Sequence, residues 1–327
     1  MRFVTYKNQL DSNLHFGFLD EEMIIDINLL STWFLDNENQ NLFLSIPSSL
    51  KIALENWEIN FKKLKEMQHL LQSIDKTDLK KYNNAISLSI SEITFLPPVI
   101  DPQSFRDFYA FEQHVRAARK LRGLEMHPDW FKIPIFYFSN PSALYGHNAL
   151  IQYPKETNEL DFELEFAIII ANGGSNIHSD DANNYIGGYT ICNDWSARDL
   201  QREEMAMSLG PAKGKDFASS FGPYMVTPDE LEKFWKNDKL HLEMTCHVNN
   251  KLISKGNTND LYHPFTKMIE RASMNTNLIA GDYFGSGTVG TGCILELRPE
   301  NTNGWIKEGD IVRLEVEQLG ILENKII

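Results

Sequence analysis

The sequence predicts an α+β protein that is mainly β, with a small amino-terminal domain over residues 1–96 and a larger catalytic-sized domain over residues 97–327. Three observations predict it. Apolar residues recur at helical spacing in one early stretch, short apolar runs broken by Gly, Asn and Pro fill the remainder, and Leu96-Pro97-Pro98 interrupts regular structure between the two. A length of 327 residues also exceeds the ~100–200 of one typical domain.

Taken in order, Met1 to Tyr6, Leu14 to Leu19 and Met23 to Asn28 are expected as short strands. From Ser48 to Ile74 the residues Leu50, Ile52, Leu54, Trp57, Phe61, Leu64, Met67 and Leu71 recur every three to four positions, which predicts helix. Beyond the prolines, Phe162 to Ile170, Tyr185 to Cys192, Leu242 to Val248 and Ile311 to Gln318 are apolar runs of strand length. Val248-Asn249-Asn250-Lys251 predicts a hairpin turn, because Asn tolerates the positive φ of tight two-residue turns. Gly292 to Leu297 reads as a further strand.

Composition excludes several classes. A chain with 42% hydrophobic and 23% charged residues is ordinary for a globular protein, not a disordered or fibrous one. Its 31 Lys and Arg against 45 Asp and Glu leave a formal charge of −14, which repels phosphate backbones and anionic lipid surfaces. Nucleic acid and membranes are therefore not expected partners, and an anionic ligand must be held by particular Arg, Lys or metal groups. Cys192, Cys246 and Cys293 are odd in number and lack CxxC spacing, so they are expected as reduced interior residues. No stretch approaches the ~18 apolar residues of a membrane span, and the first residues lack a secretion signal's apolar core, so the expected location is the cytoplasm.

Two sequence patterns imitate nucleotide sites. Gly285-Ser286-Gly287-Thr288-Val289-Gly290 matches GxGxxG, yet the strand expected after it denies the pyrophosphate a helix N-terminus, so a glycine-rich turn lining a pocket is preferred. Gly210-Pro211-Ala212-Lys213-Gly214-Lys215-Asp216 resembles a P-loop but is one residue short, with Asp where Ser or Thr must meet magnesium. HExxH and GxSxG are absent.

The chemistry concentrates in acids set among apolar residues. In Asp161-Phe162-Glu163-Leu164-Glu165-Phe166 strand alternation puts Glu163 and Glu165 on one face. Such a pair is also what a solvated edge strand shows; the apolar flanks favour a buried pair. Asp194 follows the apolar run 185–192, and a helix starting near it would align Arg198 and Gln201 on one face. That segment alone fits equally a plain helix cap with an exposed salt bridge. Asp107 and His114, seven residues apart, would share a helical face, although a lone His is more often structural than catalytic. Four carboxylates without Cys or His form an all-oxygen set, suited to Mg²⁺, Ca²⁺ or Mn²⁺.

In order, the blocks RDFYAFEQHVRAARKLRG, DFELEF, GGYTICNDWSARDLQ, GPAKGKDFASSFGPYMV and GSGTVGTGCILEL resemble the motifs of the fumarylacetoacetate hydrolase family across roughly Asp101 to Leu319. The resemblance implies a mixed β-sandwich roll of that family's carboxy-terminal type, an open site for Mg²⁺ or Ca²⁺, and a homodimer acting on a small anionic diketo or 2-oxo acid. It implies cation ligands at Asp107, Glu163, Glu165 and Asp194, with Lys215 and Ser219 at further positions near the cation. His114 matches the general base, Glu296 the carboxylate that orients it, and Arg198 and Lys215 the cationic groups about the reacting carbonyl. Tyr109, Arg122, Gln201 and Thr288 match substrate-contacting positions. Two departures stand out: Met205 replaces a substrate-binding tyrosine of the animal enzyme, and residues 1–96 do not match its small amino-terminal barrel.

The expected reaction is hydrolysis of fumarylacetoacetate or a similar 1,3-diketo acid, with water activated by His114 and Glu296. Decarboxylation, hydration or isomerisation of a 2-oxo acid on the same platform is the alternative, and a non-catalytic scaffold is a third.

Overall fold

Burial at every position of the central strands Leu164–Ile170, Ile186–Asp194 and Ser219–Val226 requires a sheet covered on both faces. The computed structural model describes residues 1–9, 11, 13–38 and 41–327. Among these, a 12-stranded mixed sheet runs in the order Ser87–Ser89, Met23–Asp26, His15–Asp20, Arg2–Asn8, Ser219–Val226, Ile186–Asp194, Leu164–Ile170, Tyr283–Gly285, Phe105–Phe108, Phe136–Ser139. Ile93–Phe95 joins it beside Arg2–Asn8, and Leu144–Tyr145 beside Ser219–Val226. Successive side chains point to opposite faces. Leu164, Phe166, Ile168 and Ile170 accordingly enter one core, and Ala167 and Ile169 enter another.

A 5-stranded sheet closes the first core: Lys251–Asn257, Glu243–Val248, Ile311–Val316, Gly320–Ile326 and Leu150–Ile151. Its Met244, Cys246, Val312 and Leu314 pack with Phe166 and Ile191 of the large sheet in that core. The second core is closed by the helices Ile27–Glu38, Leu50–Glu55 and Trp57–Leu71, which bury Leu30, Phe34, Leu54 and Trp57 with Ala167, Ile169, Phe221 and Met225. The helical stretch expected from Ser48 to Ile74 is thus two helices, because Asn56, at φ −135°, leaves helical geometry between them. Residues 1–96 share both sheet and core with residues 97–327, since Arg2 pairs with Val226 and Phe3 with Met225.

The expected strands of the first 28 residues are present as Arg2–Asn8, His15–Asp20 and Met23–Asp26. The hairpin turn is also present, with Asn249 at φ 49° and Asn250 at φ 65°. Three expectations need correction. Asp107 and His114 do not share a helix: Asp107 lies on Phe105–Phe108 and His114 on the helix Glu112–Leu121. The first segment is held extended by partners on both sides, Phe105 pairing with Tyr283 and with Ser139, so tertiary pairing overrides a helical pattern. Asp194 does not begin a helix but ends the strand Ile186–Asp194, paired with Ser219; the helix begins at Arg198. Gly292 to Leu297 is not a strand. Ile294–Leu297 is a short helix, capped by the Asp161 carboxylate, which accepts the Ile294 N–H at 2.8 Å and the Leu295 N–H at 3.0 Å.

Leu54 ties the helical layer to the site-bearing strands. A Cβ on Gly187 would stand 2.5 Å from Leu54 Cδ2, so glycine there lets the leucine sit on the sheet backbone. The Leu54 carbonyl also accepts the Asn172 N–H at 2.9 Å, and Asn172 Oδ1 accepts the Trp57 N–H at 3.0 Å. Leu54→Ala leaves a cavity whose floor is backbone and cannot collapse, so urea denaturation should show a loss of about 2–5 kcal/mol.

Candidate metal centre

Neighbouring strands of the large sheet deliver their ends to one place. Asp107 is on Phe105–Phe108, Glu165 is the second residue of Leu164–Ile170, Asp194 ends Ile186–Asp194, and Ser219 begins Ser219–Val226. Glu163 lies just before its strand, where its N–H donates to Asn193 Oδ1 at 2.9 Å. Carboxylate oxygens of Asp107, Glu163 and Glu165 all lie within 4.8 Å of one another. Asp194 joins them through Lys215, whose Nζ donates to Glu163 Oε2 and to Asp194 Oδ2, both at 2.6 Å. Asp194 also accepts from the Tyr137 hydroxyl, and from Ser219 Oγ at 3.2 Å.

The GxGxxG turn is part of this site. The Gly287 N–H donates to Glu165 Oε2 at 3.1 Å and Thr288 Oγ1 stands 3.4 Å from Glu165 Oε1. A Cβ on Gly285 would stand 2.2 Å from Asp107 Oδ1 and 3.1 Å from Glu165 Oε2, so only glycine lets these two carboxylates approach. The loop therefore binds carboxylates of its own chain, not a pyrophosphate. The P-loop-like segment behaves alike: the N–H groups of Ala212, Lys213 and Gly214 donate to the Glu204 carboxylate at 2.8, 2.6 and 3.1 Å. An internal anion fills the cradle a phosphate would need, and the loop so fixed presents Lys215.

Burial and charge here are out of balance. Asp107, Glu163, Glu165 and Asp194 are 3, 4, 0 and 0% exposed. Burial, and then repulsion from Asp194, push the Asp107 carboxyl well above the usual carboxylate range. Burial, and then Asp107 and Glu163, do the same to Glu165. Burial also raises Asp194, against the pull of Lys215. Only Glu163 is held below the ordinary range, because Lys215 and Arg198 outweigh its burial. Asp107 Oδ1 is buried with no hydrogen-bond partner. An orphaned oxygen, mutually repelling carboxylates and an all-oxygen donor set are what a hard divalent cation satisfies, so the residues present fit Mg²⁺, Ca²⁺ or Mn²⁺.

Lys215 is a charge partner of two expected ligands and is not itself a donor atom for a cation. Burial works against its charge, but Asp194 and Glu163 raise its pKa and keep it an ammonium. Arg198 donates through Nε to Asp161 Oδ2 at 2.8 Å and through Nη1 to Gln201 Oε1 at 3.0 Å. Its Nη2 lies 2.8 Å from Glu163 Oε1 as an ion pair, off hydrogen-bond geometry. His114 Nδ1 is hydrogen-bonded to Glu296, and both side chains are buried. The Tyr109 ring meets the imidazole edge-on at 5.3 Å between centroids, and burial pushes its hydroxyl up to about 12. Arg122, at the end of the His114 helix, is exposed; its Nε reaches only the Ala118 carbonyl, at 3.3 Å, and it pairs with no carboxylate among the described residues.

Sequence reasoning missed Asp161, Tyr137, Glu204 and Gly285. Asp161 joins the two halves of the site, holding Arg198 while capping the helix that carries Glu296. Its position at the head of DFELEF, next to the ExE pair, is the signal the sequence carries for it. Tyr137 and Glu204 lie outside any acidic pattern.

The family model for the fumarylacetoacetate hydrolase carboxy-terminal domain matches residues 103–327. The chain belongs to the fumarylacetoacetate hydrolase family. A mitochondrial oxaloacetate tautomerase of Rattus norvegicus is 30% identical over 245 residues, 72% of this chain and 70% of that protein. A fumarylacetoacetase of Arabidopsis thaliana is 28% identical over 282 residues, 68% of this chain and 66% of that protein. Among solved structures, the maleylpyruvate hydrolase of Sphingobium sp. SYK-6 in complex with manganese(II) and pyruvate shares the fold, with a TM-score of 0.69 and 20% identity over 100% of this chain and 99% of that one. This protein is thus an enzyme of a family whose named members include hydrolases and tautomerases. Among the described residues no helix is long and apolar enough to cross a membrane.

Glu165→Gln keeps the shape of the side chain and removes its charge. Isothermal titration with Mg²⁺ should show binding weakened beyond measurement, with an unchanged circular dichroism spectrum; unchanged affinity would remove Glu165 from the ligand set.

Proposed function

We propose that this enzyme hydrolyses a carbon–carbon bond in fumarylacetoacetate or a similar small 1,3-diketo acid, with Mg²⁺, Ca²⁺ or Mn²⁺ held by Asp107, Glu163, Glu165 and Asp194. The observation that carries the proposal is the buried His114–Glu296 pair beside that cluster. A divalent cation held there would supply Lewis-acid polarisation of a substrate carbonyl. A carboxylate can only accept, so Glu296 fixes the imidazole proton on Nδ1 and leaves Nε2 as a proton acceptor. The other Glu296 oxygen takes the Thr291 N–H at 3.1 Å, which stops the carboxylate turning. The Tyr109 ring fixes the imidazole from the side. An electrostatic influence of His114 on the Glu163 carboxyl supports a base close to the proposed cation ligands.

His114 then takes a proton from the attacking water. Lys215 and Arg198 offset negative charge as it builds on the attacked carbonyl oxygen, a role in which loss of one donor costs about 2.7–4 kcal/mol of transition-state stabilisation. Arg122, which pairs with no carboxylate among the described residues, is proposed to hold a substrate carboxylate, and Gln201 and Thr288 are proposed to contact the substrate near Arg198 and Glu165. In this way an acidic chain accommodates an anion.

The second reading is keto–enol tautomerisation of a 2-oxo diacid. It is supported by the oxaloacetate tautomerase name of the rat relative. The same imidazole would then move a proton at carbon and no carbon–carbon bond would break. Incubating the protein and Mg²⁺ with a panel of diketo and 2-oxo acids, and following products by NMR, separates the two. Two new carboxylic acids support hydrolysis; loss of enol signal with every substrate carbon retained overturns it.

His114→Ala should keep Mg²⁺ affinity and lower turnover by the ~10²–10⁴ typical of general-base catalysis. Glu296→Gln should act on the same proton transfer, so the double variant should be little worse than the worse single one. Multiplied losses in steady-state assays would assign them separate roles. Arg122→Met should raise KM with kcat little changed, because binding shared by ground and transition states is what it removes; a pure kcat effect would move Arg122 out of that role.

A further inference from the structure

A second set of donor atoms lies beside the carboxylate cluster, and its chemistry is different. Ligand atoms of His114, Cys293 and Glu296 all lie within 4.8 Å of one another. Cys293 Sγ stands 3.8 Å from Glu296 Oε1, the same oxygen that engages His114 Nδ1. A tetrahedral ion with bonds of about 2.0–2.3 Å sets its donors roughly 3.3–3.8 Å apart; Sγ and Oε1 already stand at that separation, and the Nδ1–Oε1 hydrogen bond must open for the ion to enter between them. Nitrogen, thiol sulfur and one carboxylate form a borderline-to-soft donor set, unlike the all-oxygen set of Asp107, Glu163 and Glu165.

The backbone holding these donors is pinned. Asp161 accepts the N–H groups of Ile294 and Leu295, and the Thr291 N–H fixes the far oxygen of Glu296. His114 sits in the first turns of the helix Glu112–Leu121. Burial, and then nearby Asp161, keep the Cys293 thiol protonated in the metal-free protein. A dication supplies the positive charge a buried thiolate lacks, and coordination deprotonates a thiol outright.

We propose that His114, Cys293 and Glu296 form a second divalent-cation site, selective for a borderline or soft ion such as Zn²⁺ or Cd²⁺, and that filling it stops turnover. On binding, the thiol proton leaves to solvent and a sulfur–metal bond forms. The Nδ1 lone pair is donated to the ion and the imidazole proton moves to Nε2. The ring then has no lone pair left to accept a proton from water. The inhibitory half rests on His114 being the base; the binding half does not.

Full-length protein in a fixed excess of Mg²⁺, which saturates the wild type, is titrated with Cd²⁺, and the near-ultraviolet charge-transfer band of a cadmium–thiolate bond is followed. Wild type and Glu165→Gln should both develop the band and saturate at a single cadmium per chain. Cys192→Ser and Cys246→Ser should keep it, and Cys293→Ser, which is nearly isosteric, should lose it. His114→Ala should weaken cadmium binding by at least the ~10-fold that loss of even an outer-shell partner costs. A band that survives in Cys293→Ser, or that disappears in Glu165→Gln, overturns the site. Turnover should fall in step with the band; full activity at a saturated band overturns the inhibitory role and, with it, the assignment of His114 as base.

Discussion

Asp107, Glu163, Glu165, Asp194 and Asp161 share a buried volume in which, among the described residues, only Lys215 and Arg198 are side-chain cations in contact with them, and this excess of negative charge governs how the surrounding structure is built. Burying a charge is costly unless it is paired and hydrogen-bonded. Three of these acids are accordingly anchored by something rigid. Asp194 has Ser219 and Tyr137, Glu165 has the Gly287 N–H, and Asp161 has two helix N–H groups. Repulsion among Asp107, Glu163 and Glu165 remains.

The large sheet makes that arrangement possible. Strand ends 219, 194, 165, 285 and 107 belong to five neighbouring strands, so hydrogen-bonded pairing sets their spacing before any side chain chooses a rotamer. The two apolar cores fix the sheet from opposite faces, and the amino-terminal helices supply one of them. Residues 1–96 therefore act on the site at a distance by holding the strands that carry it. Small residues matter where layers touch, as at Gly187 under Leu54 and at Gly285 between Asp107 and Glu165.

Arg198 and Glu296 belong to different halves of the machinery, one facing the carboxylates and the other the imidazole, yet both depend on Asp161. A single buried carboxylate thus couples charge compensation to the placement of the carboxylate that meets His114. The same economy appears in Glu204, which fills the amide cradle of the 210–216 loop and so positions Lys215.

The sequence by itself determined the mainly β class, the early helical stretch, the Asn-Asn hairpin and the residue types of the site, because these follow from local periodicity and from acids placed in apolar runs. The motif blocks carried the family. Only the tertiary structure decided which element each residue occupies. Asp107 and His114 have helical spacing yet lie on a strand and a helix, since pairing with Tyr283 and Ser139 outweighs a weak local pattern. Ile294–Leu297 has a strand's composition yet is a helix, since a carboxylate 133 residues away in the chain caps it. Contacts between residues so distant in sequence leave no trace in local spacing, and the convergence of the acids, the orphaned Asp107 oxygen and the Cys293–His114–Glu296 cluster are all contacts of that kind.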